Sequence, residues 1–230
     1  MPLNNRWCFA WHAVAPKPEL QAKAALVNAY RWTPGEVIEI SFLDGASAVQ
    51  QRVMDAANGW LGSGLANLQL SFRDDTNDTP VRISFKYPGS WSVIGTSCRQ
   101  IADKTQATMN FGWLTEATSD DEVQRVVLHE FGHALGLIHE HQSPLGKPIQ
   151  WNRDAVIADL SGPPNNWSLD VIEHNMFEAY DKRDISGTDL DPNSIMMYPI
   201  PATWTVDGFS TGLNSKLSAD DKTLIHQQYP

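Results

Sequence analysis

The chain is poor in cysteine and has no long apolar run. Its 230 residues include two cysteines, Cys8 and Cys98, which permit at most one bridge and exclude a disulfide-dense scaffold. No apolar stretch reaches the roughly 18 residues that a membrane-spanning helix requires. The amino-terminal residues also lack the charged-then-apolar order of a signal peptide. These absences predict a soluble protein without a membrane span.

Positive charge is also scarce. The chain has 17 Lys and Arg against 27 Asp and Glu, which gives a net charge of -10. Nucleic-acid-binding domains normally need a basic surface, so we do not expect nucleic acid as a partner. No internal repeat or low-complexity tract is present. The length is sufficient for one monomeric domain with a substantial core.

Residues 129–139 carry the most specific pattern, HExxHxxGxxH. On a helix, His129 and His133 lie one turn apart on the same face, so both can bind one metal ion. Gly136 can adopt the left-handed conformation that ends a helix. The chain can then reverse direction and bring His139 to the metal as a third ligand. Three imidazoles that leave a fourth position open are typical of catalytic zinc. The pattern therefore predicts Zn²⁺ as cofactor.

Glu130 is the predicted catalytic base. Zinc lowers the pKa of a bound water from about 16 toward about 7, and Glu130 can accept the proton as this water attacks a polarised carbonyl. These parts predict a zinc-dependent endopeptidase. Two alternatives remain at this point, namely a zinc hydrolase of a non-peptide amide and a catalytically dead binding module.

A second segment, residues 194–199, reads SIMMYP. Together with the zinc motif it resembles the metzincin metallopeptidases, and its SIMxY pattern resembles the astacin-like members. The resemblance implies that residues 194–199 form a tight turn, the methionine turn, in which Met196 forms the floor of the zinc site. It also implies that Tyr198 is a fifth, displaceable zinc ligand that stabilises the oxyanion. Astacin-like proteins usually have phenylalanine where this chain has Leu137, a substitution that should be tolerated.

The resemblance implies an α+β, zincin-like fold with an active-site cleft between two subdomains. Residues 1–30 are then a lead segment, and residues 31–230 are one catalytic domain with an upper part, 31–139, and a lower part, 140–230. The upper part should contain a twisted mixed sheet and two long helices, and the lower part should be irregular with a carboxyl-terminal helix. Alternating apolar residues predict strands around Ile38, Ile40 and Phe42, around Leu68, Leu70 and Phe72, and around Val81, Ile83 and Phe85.

Helical spacing of Val49, Val53 and Trp60 predicts the first long helix. A capping box of Ser119 and Glu122 should begin the zinc helix, and further helices are expected near 167–180 and after the cap at Ser218.

The resemblance further implies that residues 107–113 form an edge strand that binds a peptide or protein substrate. Residues 200–206 should form the wall of the pocket beyond the scissile bond. Astacin-like proteins also carry a glutamate at the position of Glu140, which receives a freed amino terminus; we do not expect that role in this chain. The family favours a secreted or exported protein over a cytoplasmic one, although no signal peptide is visible.

Other residues have several interpretations. Cys8 can be a latency switch that occupies the open zinc position, a disulfide partner of Cys98, or a plain thiol, and we favour the last. The acidic run at 74–78 is interpreted as a solvated turn, with a calcium site as the alternative.

Overall fold

The computed structural model describes residues 30–144, 147–163, 165–179 and 189–230, together with the backbone of a strand at Cys8–Trp11. The chain forms a mixed α+β structure around a six-stranded sheet. In the described residues no helix is both long and apolar enough to cross a membrane. The predicted α+β class with a mixed sheet is confirmed, whereas the division into two subdomains stays a prediction.

Six short strands form the sheet in the order β1-β5-β6-β4-β2-β3. All neighbouring strands are parallel except β5 and β6, which are antiparallel. The three predicted strands correspond to β2, β3 and β4. The bounds are Cys8–Trp11 for β1, Val37–Phe42 for β2, Gln69–Arg73 for β3, Val81–Ser84 for β4, Ser90–Val93 for β5 and Met109–Phe111 for β6.

The prediction that residues 107–113 form an edge strand is wrong. Their strand, β6, lies inside the sheet, bonded to β4 on one side and to β5 on the other. All three of its residues are buried, which is typical of an internal strand that is covered on both faces. The next strand, β5, has β1 along its outer edge in parallel register from Cys8 opposite Ser90 to Trp11 opposite Val93.

Five α-helices lie in the described residues. Their bounds are Ser47–Ala57 for α1, Asp120–Ala134 for α2, Arg153–Ser161 for α3, Leu169–Ile172 for α4 and Ala219–Gln228 for α5. The two long helices α1 and α2 precede residue 139, as predicted. The helix expected near 167–180 is shorter, because α4 continues as a π-helical turn at Glu173–Phe177.

The capping box predicted at the start of α2 is only half formed. Ser119 caps α2 by accepting a bond from the Glu122 amide, but the Glu122 carboxylate binds Arg125 and Trp113 instead of returning to the cap. The reciprocal capping box occurs at α5, between Ser218 and Asp221.

The core lies between the sheet and the helices α1 and α2. Trp60, which is fully buried after α1, donates its indole N–H to the carbonyl of Leu128 in α2 at 2.8 Å. This bond fixes the two long helices against each other. Cys98 is also buried here as a free thiol, so it is not bridged to Cys8. The Cys8 side chain lies outside the described residues, and its latency role is untested.

The acidic turn at 74–78 is held by ion pairs. Asp75 pairs with Arg73 at 2.7 Å, and Asp78 pairs with Lys104 at 3.0 Å. Both carboxylates therefore have a cation partner from the chain itself.

Candidate metal centre

Helix α2 positions the first two imidazoles. Its amino-terminal turn carries Asp120, Asp121 and Glu122, whose negative charges are favourable at the positive end of the helix dipole. From Val126 to Ala134 every residue of the helix is buried. His129 and His133 are thus fixed on a helix that the core holds on several faces.

The end of α2 is fixed by two aromatic side chains from distant parts of the chain. Trp32 donates its indole N–H to the carbonyl of Ala134 at 2.8 Å, and Tyr229 donates its hydroxyl to the carbonyl of Leu135 at 2.5 Å. Gly136 follows with φ of +98°, a conformation that residues with a Cβ rarely adopt. The chain then reverses and brings His139 back to the first two histidines.

The structure brings His129, His133 and His139 together. All three are buried, and each offers a ring nitrogen such that these atoms lie within 4.8 Å of one another. The Nε2 atoms of His133 and His139 are 3.1 Å apart. This separation is consistent with two ligands of one ion.

Each imidazole uses its other nitrogen, Nδ1, in a hydrogen bond to an oxygen. Because these acceptors are carbonyl oxygens, Nδ1 must carry the proton, and Nε2 keeps its lone pair for a metal. The acceptors are Ile195 O for His129 at 2.8 Å, Leu137 O for His133 at 2.9 Å and Gln142 Oε1 for His139 at 3.2 Å.

The electrostatics of the site fit a cation. Burial, followed by the neighbouring His133, holds the pKa of His129 and of His139 well below its ordinary value, so both rings are neutral, as metal ligands must be. Nε2 of His129 is buried and has no hydrogen-bond partner among the described residues. Lone pairs that face one another in a buried site repel unless a cation lies between them. The three histidines could therefore hold a metal ion.

Glu130 is next to His129 on α2, and Met196 packs against the same helix from a distant part of the chain. Glu130 follows the first histidine on α2 and is fully buried. The Met196 sulfur packs so closely on Gly132 that a Cβ there would lie 2.3 Å from it. The Met196 carbonyl accepts a hydrogen bond from the Glu140 amide at 3.0 Å. Met196 thus contacts both α2 and the segment that carries His139.

Tyr198 lies beside the histidines. Its ring centroid is 4.2 Å from that of His139 and 6.1 Å from that of His129, and its side chain is 2% exposed. On another side it stacks on His141, with centroids 4.8 Å apart and an interplanar angle of 29°. The phenol ring therefore packs directly against the group of histidines.

Sequence reasoning did not single out His141 and Gln142. His141 donates Nε2–H to the carbonyl of Asn175 at 2.8 Å, and the Gln142 amide donates to the carbonyl of His174 at 2.7 Å. Both acceptors belong to the π-helical turn. A buried histidine ligand normally has a partner for its second nitrogen, and this expectation could have suggested a polar residue near His139, but not its identity.

The Glu140 side chain accepts a hydrogen bond from a backbone amide. Its carboxylate accepts from Asp191 N at 3.0 Å, and burial raises its pKa to about 7. This carboxylate connects the segment after His139 to the residues just before the methionine turn.

The predicted pocket wall at 200–206 is only partly exposed. Ile200 and Trp204 are buried in the core, whereas Val206 is exposed. A cavity of about 330 Å³ lies just beyond this segment. Its lining is Lys147, Pro148, Ile149, Asp189, Leu190, Asp207 and Phe209.

Neither a protein-family model nor a curated protein matches the chain. Two solved structures of myroilysin do match. One is 40% identical with a TM-score of 0.84, and the match covers 89% of this chain and 98% of that one. The other is 36% identical with a TM-score of 0.68, and the match covers 99% of this chain and 92% of that one. With this similarity along the chain and three histidines arranged for a metal, the protein belongs to the family of myroilysin, a metallopeptidase.

Proposed function

We propose that the protein is a zinc-dependent endopeptidase of the astacin-like metzincin type. The observation that carries the proposal is the convergence of the His129, His133 and His139 rings, whose Nδ1 atoms are all bonded to oxygens, directly beside Glu130 on α2. Three nitrogen ligands with a neighbouring carboxylate match the donor set of catalytic zinc.

Zinc in this site would supply a Lewis acid that polarises the scissile carbonyl and acidifies water. Glu130 is the group that moves the proton. It accepts the proton of the attacking water and then delivers it to the leaving amine. Its complete burial keeps bulk water away from the carboxylate, which strengthens its interaction with a proton in transit.

Tyr198 is proposed to stabilise the oxyanion. Its ring is held between His139 and His141, so rotation about its side-chain bonds is restricted to positions near the histidines that would hold zinc. A phenol O–H in this place can donate to the oxygen that becomes negative in the transition state.

The proposed substrate is an extended peptide or protein segment. Strand β5 contacts the zinc helix, and its outer edge is bonded to β1 over four residue pairs. The pairing with β1 supports the view that this edge can bond to an extended segment through main-chain hydrogen bonds, and a peptide substrate bound there would have to take the place of β1. Export from the cell also stays a prediction from the family resemblance.

The test combines metal analysis with cleavage of a mixed peptide library. The zinc-loaded protein should cleave internal peptide bonds, and Glu130→Gln should keep zinc while it loses at least about 100-fold in turnover. Glu116→Gln, at an exposed glutamate, is the matched control and should behave as the unmodified protein. Cleavage of small amides but not peptides would support a non-peptide hydrolase, and zinc binding without any turnover would support a binding module; either result would refute the proposal.

A further inference from the structure

A chain of hydrogen bonds joins His129 to a buried carboxylate on the last helix. His129 Nδ1 donates to Ile195 O at 2.8 Å, and this carbonyl shares its peptide group with Met196 N. Met196 N donates to Ser194 Oγ at 3.0 Å, and Ser194 Oγ donates to Asp221 Oδ1 at 2.7 Å. Every link has a donor followed by an acceptor, so the four bonded groups are oriented in one direction.

We infer that Ser194 and Asp221 are positioning residues that tune the zinc site through His129. The negative carboxylate polarises the Ser194 hydroxyl, which polarises the peptide between residues 195 and 196. The more negative Ile195 carbonyl then binds the Nδ1 proton of His129 more strongly. Hydrogen bonds in such chains strengthen one another, and a stronger Nδ1 bond makes Nε2 a better metal ligand.

The surroundings support this role. Ser194 is 1% exposed and Asp221 is 5% exposed, so solvent does little to weaken the effect. The Asp221 carboxylate also accepts from Ile195 N at 2.8 Å and from Ser218 N at 2.9 Å. Burial raises the pKa of the Asp221 carboxyl, and the three hydrogen bonds oppose that shift. A carboxyl group with three donors has the bonding pattern of the ionised form.

The same carboxylate fixes the geometry. It accepts the amide of Ile195 and the hydroxyl of Ser194, which are adjacent residues of the methionine turn. The turn is thereby held at the orientation that aims the Ile195 carbonyl at His129. Helix α5 consequently acts on the metal site although its residues follow His139 by about eighty positions.

The inference rests on the zinc site of the proposed function, and zinc affinity tests it directly. Ser194→Ala should raise the zinc dissociation constant about three- to tenfold in competition with a chromophoric chelator, which is less than the 10- to 100-fold effect of losing a direct partner. Ser194→Thr keeps the hydroxyl and should restore the affinity. Asp221→Asn should weaken binding similarly. Asp220→Asn removes an exposed charge from the same helix turn and should have no effect.

A second measurement separates tuning from folding. In the metal-free protein, the proton on His129 Nδ1 should move upfield in the NMR spectrum of Asp221→Asn, because its hydrogen bond weakens, while the His133 signal stays in place. An unchanged His129 signal, or equal zinc affinity in Ser194→Ala and the unmodified protein, would overturn the inference. Zinc binding without peptide cleavage would refute the proposed function but would leave this test intact.

Discussion

Tyr198→Phe separates the catalytic role of the phenol from its packing role. The side chain is 2% exposed and its ring contacts those of His139 and His141. Phenylalanine fills the same space apart from one oxygen, so the ring contacts and the three histidines should be preserved. The substitution therefore removes the hydroxyl and little else.

The expected loss of kcat follows from the stage of the reaction at which the phenol is proposed to bond to the oxyanion. A donor that acts only on the developing oxyanion lowers kcat and leaves KM nearly unchanged. Removal of one such donor costs about 10²- to 10³-fold in kcat in other enzymes. Because zinc would share the charge here, we expect a loss of at least roughly tenfold for Tyr198→Phe, with zinc content unchanged.

Two assays check this prediction. Steady-state kinetics on a fluorogenic peptide give kcat and KM, and the visible spectrum of the copper-substituted protein reports whether a phenol contacts the metal. Tyr87→Phe, at a tyrosine that is 46% exposed, is the control and should change neither. If Tyr198→Phe leaves both kcat and the copper spectrum unaltered, the phenol only packs, and the best reason for an astacin-like assignment is lost.

Three further perturbations have defined outcomes. His139→Ala should lower zinc occupancy sharply, since two protein ligands form a poor site; full occupancy by metal analysis would show that His139 is not a ligand. Tyr229→Phe removes the bond to the Leu135 carbonyl and should cost about 1–3 kcal/mol, seen in calorimetry as a Tm lower by roughly 2–10 °C. Burial raises the pKa of Cys98 from 9.0 to about 12, so the fold favours the neutral thiol; this stabilisation is complete below pH 9 and is lost as pH rises through about 12. Stability should thus fall by about 1.4 kcal/mol per pH unit in that window, and urea unfolding of Cys98→Ala should show a shallower decline.

The sequence was most informative where chemistry restricts both residue type and spacing. Metal ligation needs imidazoles at positions that share a helix face, and a sharp helix end needs a residue such as Gly136 that tolerates positive φ. These demands predicted the three histidines, and the structure brings them together. The mixed α+β fold was implied by the family resemblance, and the alternating segments that became β2, β3 and β4 are long enough to predict those strands.

Strand order was not accessible in the same way. Strand β6 has three residues and β5 has four, which are too few to show which edge of a strand is paired. The partner on the outer edge of β5 is β1, which lies about eighty positions earlier in the chain. Such pairing is decided by tertiary packing, and the resemblance assigned the edge to 107–113 instead.

The orientation of the ligands depends on contacts that a sequence pattern does not reveal. Two of the three Nδ1 partners are the backbone carbonyls of Ile195 and Leu137, and any residue can supply a carbonyl. Leu137 contributes its carbonyl to His133 while its side chain is buried, so the prediction that another apolar side chain is tolerated at this position has a structural basis. The third partner, Gln142, acts through its side chain. A substitution at Gln142 should therefore disturb the metal site more than a volume-conserving change at Leu137. The pattern HExxHxxGxxH specifies neither residue, because Leu137 is at an unspecified position and Gln142 follows its end.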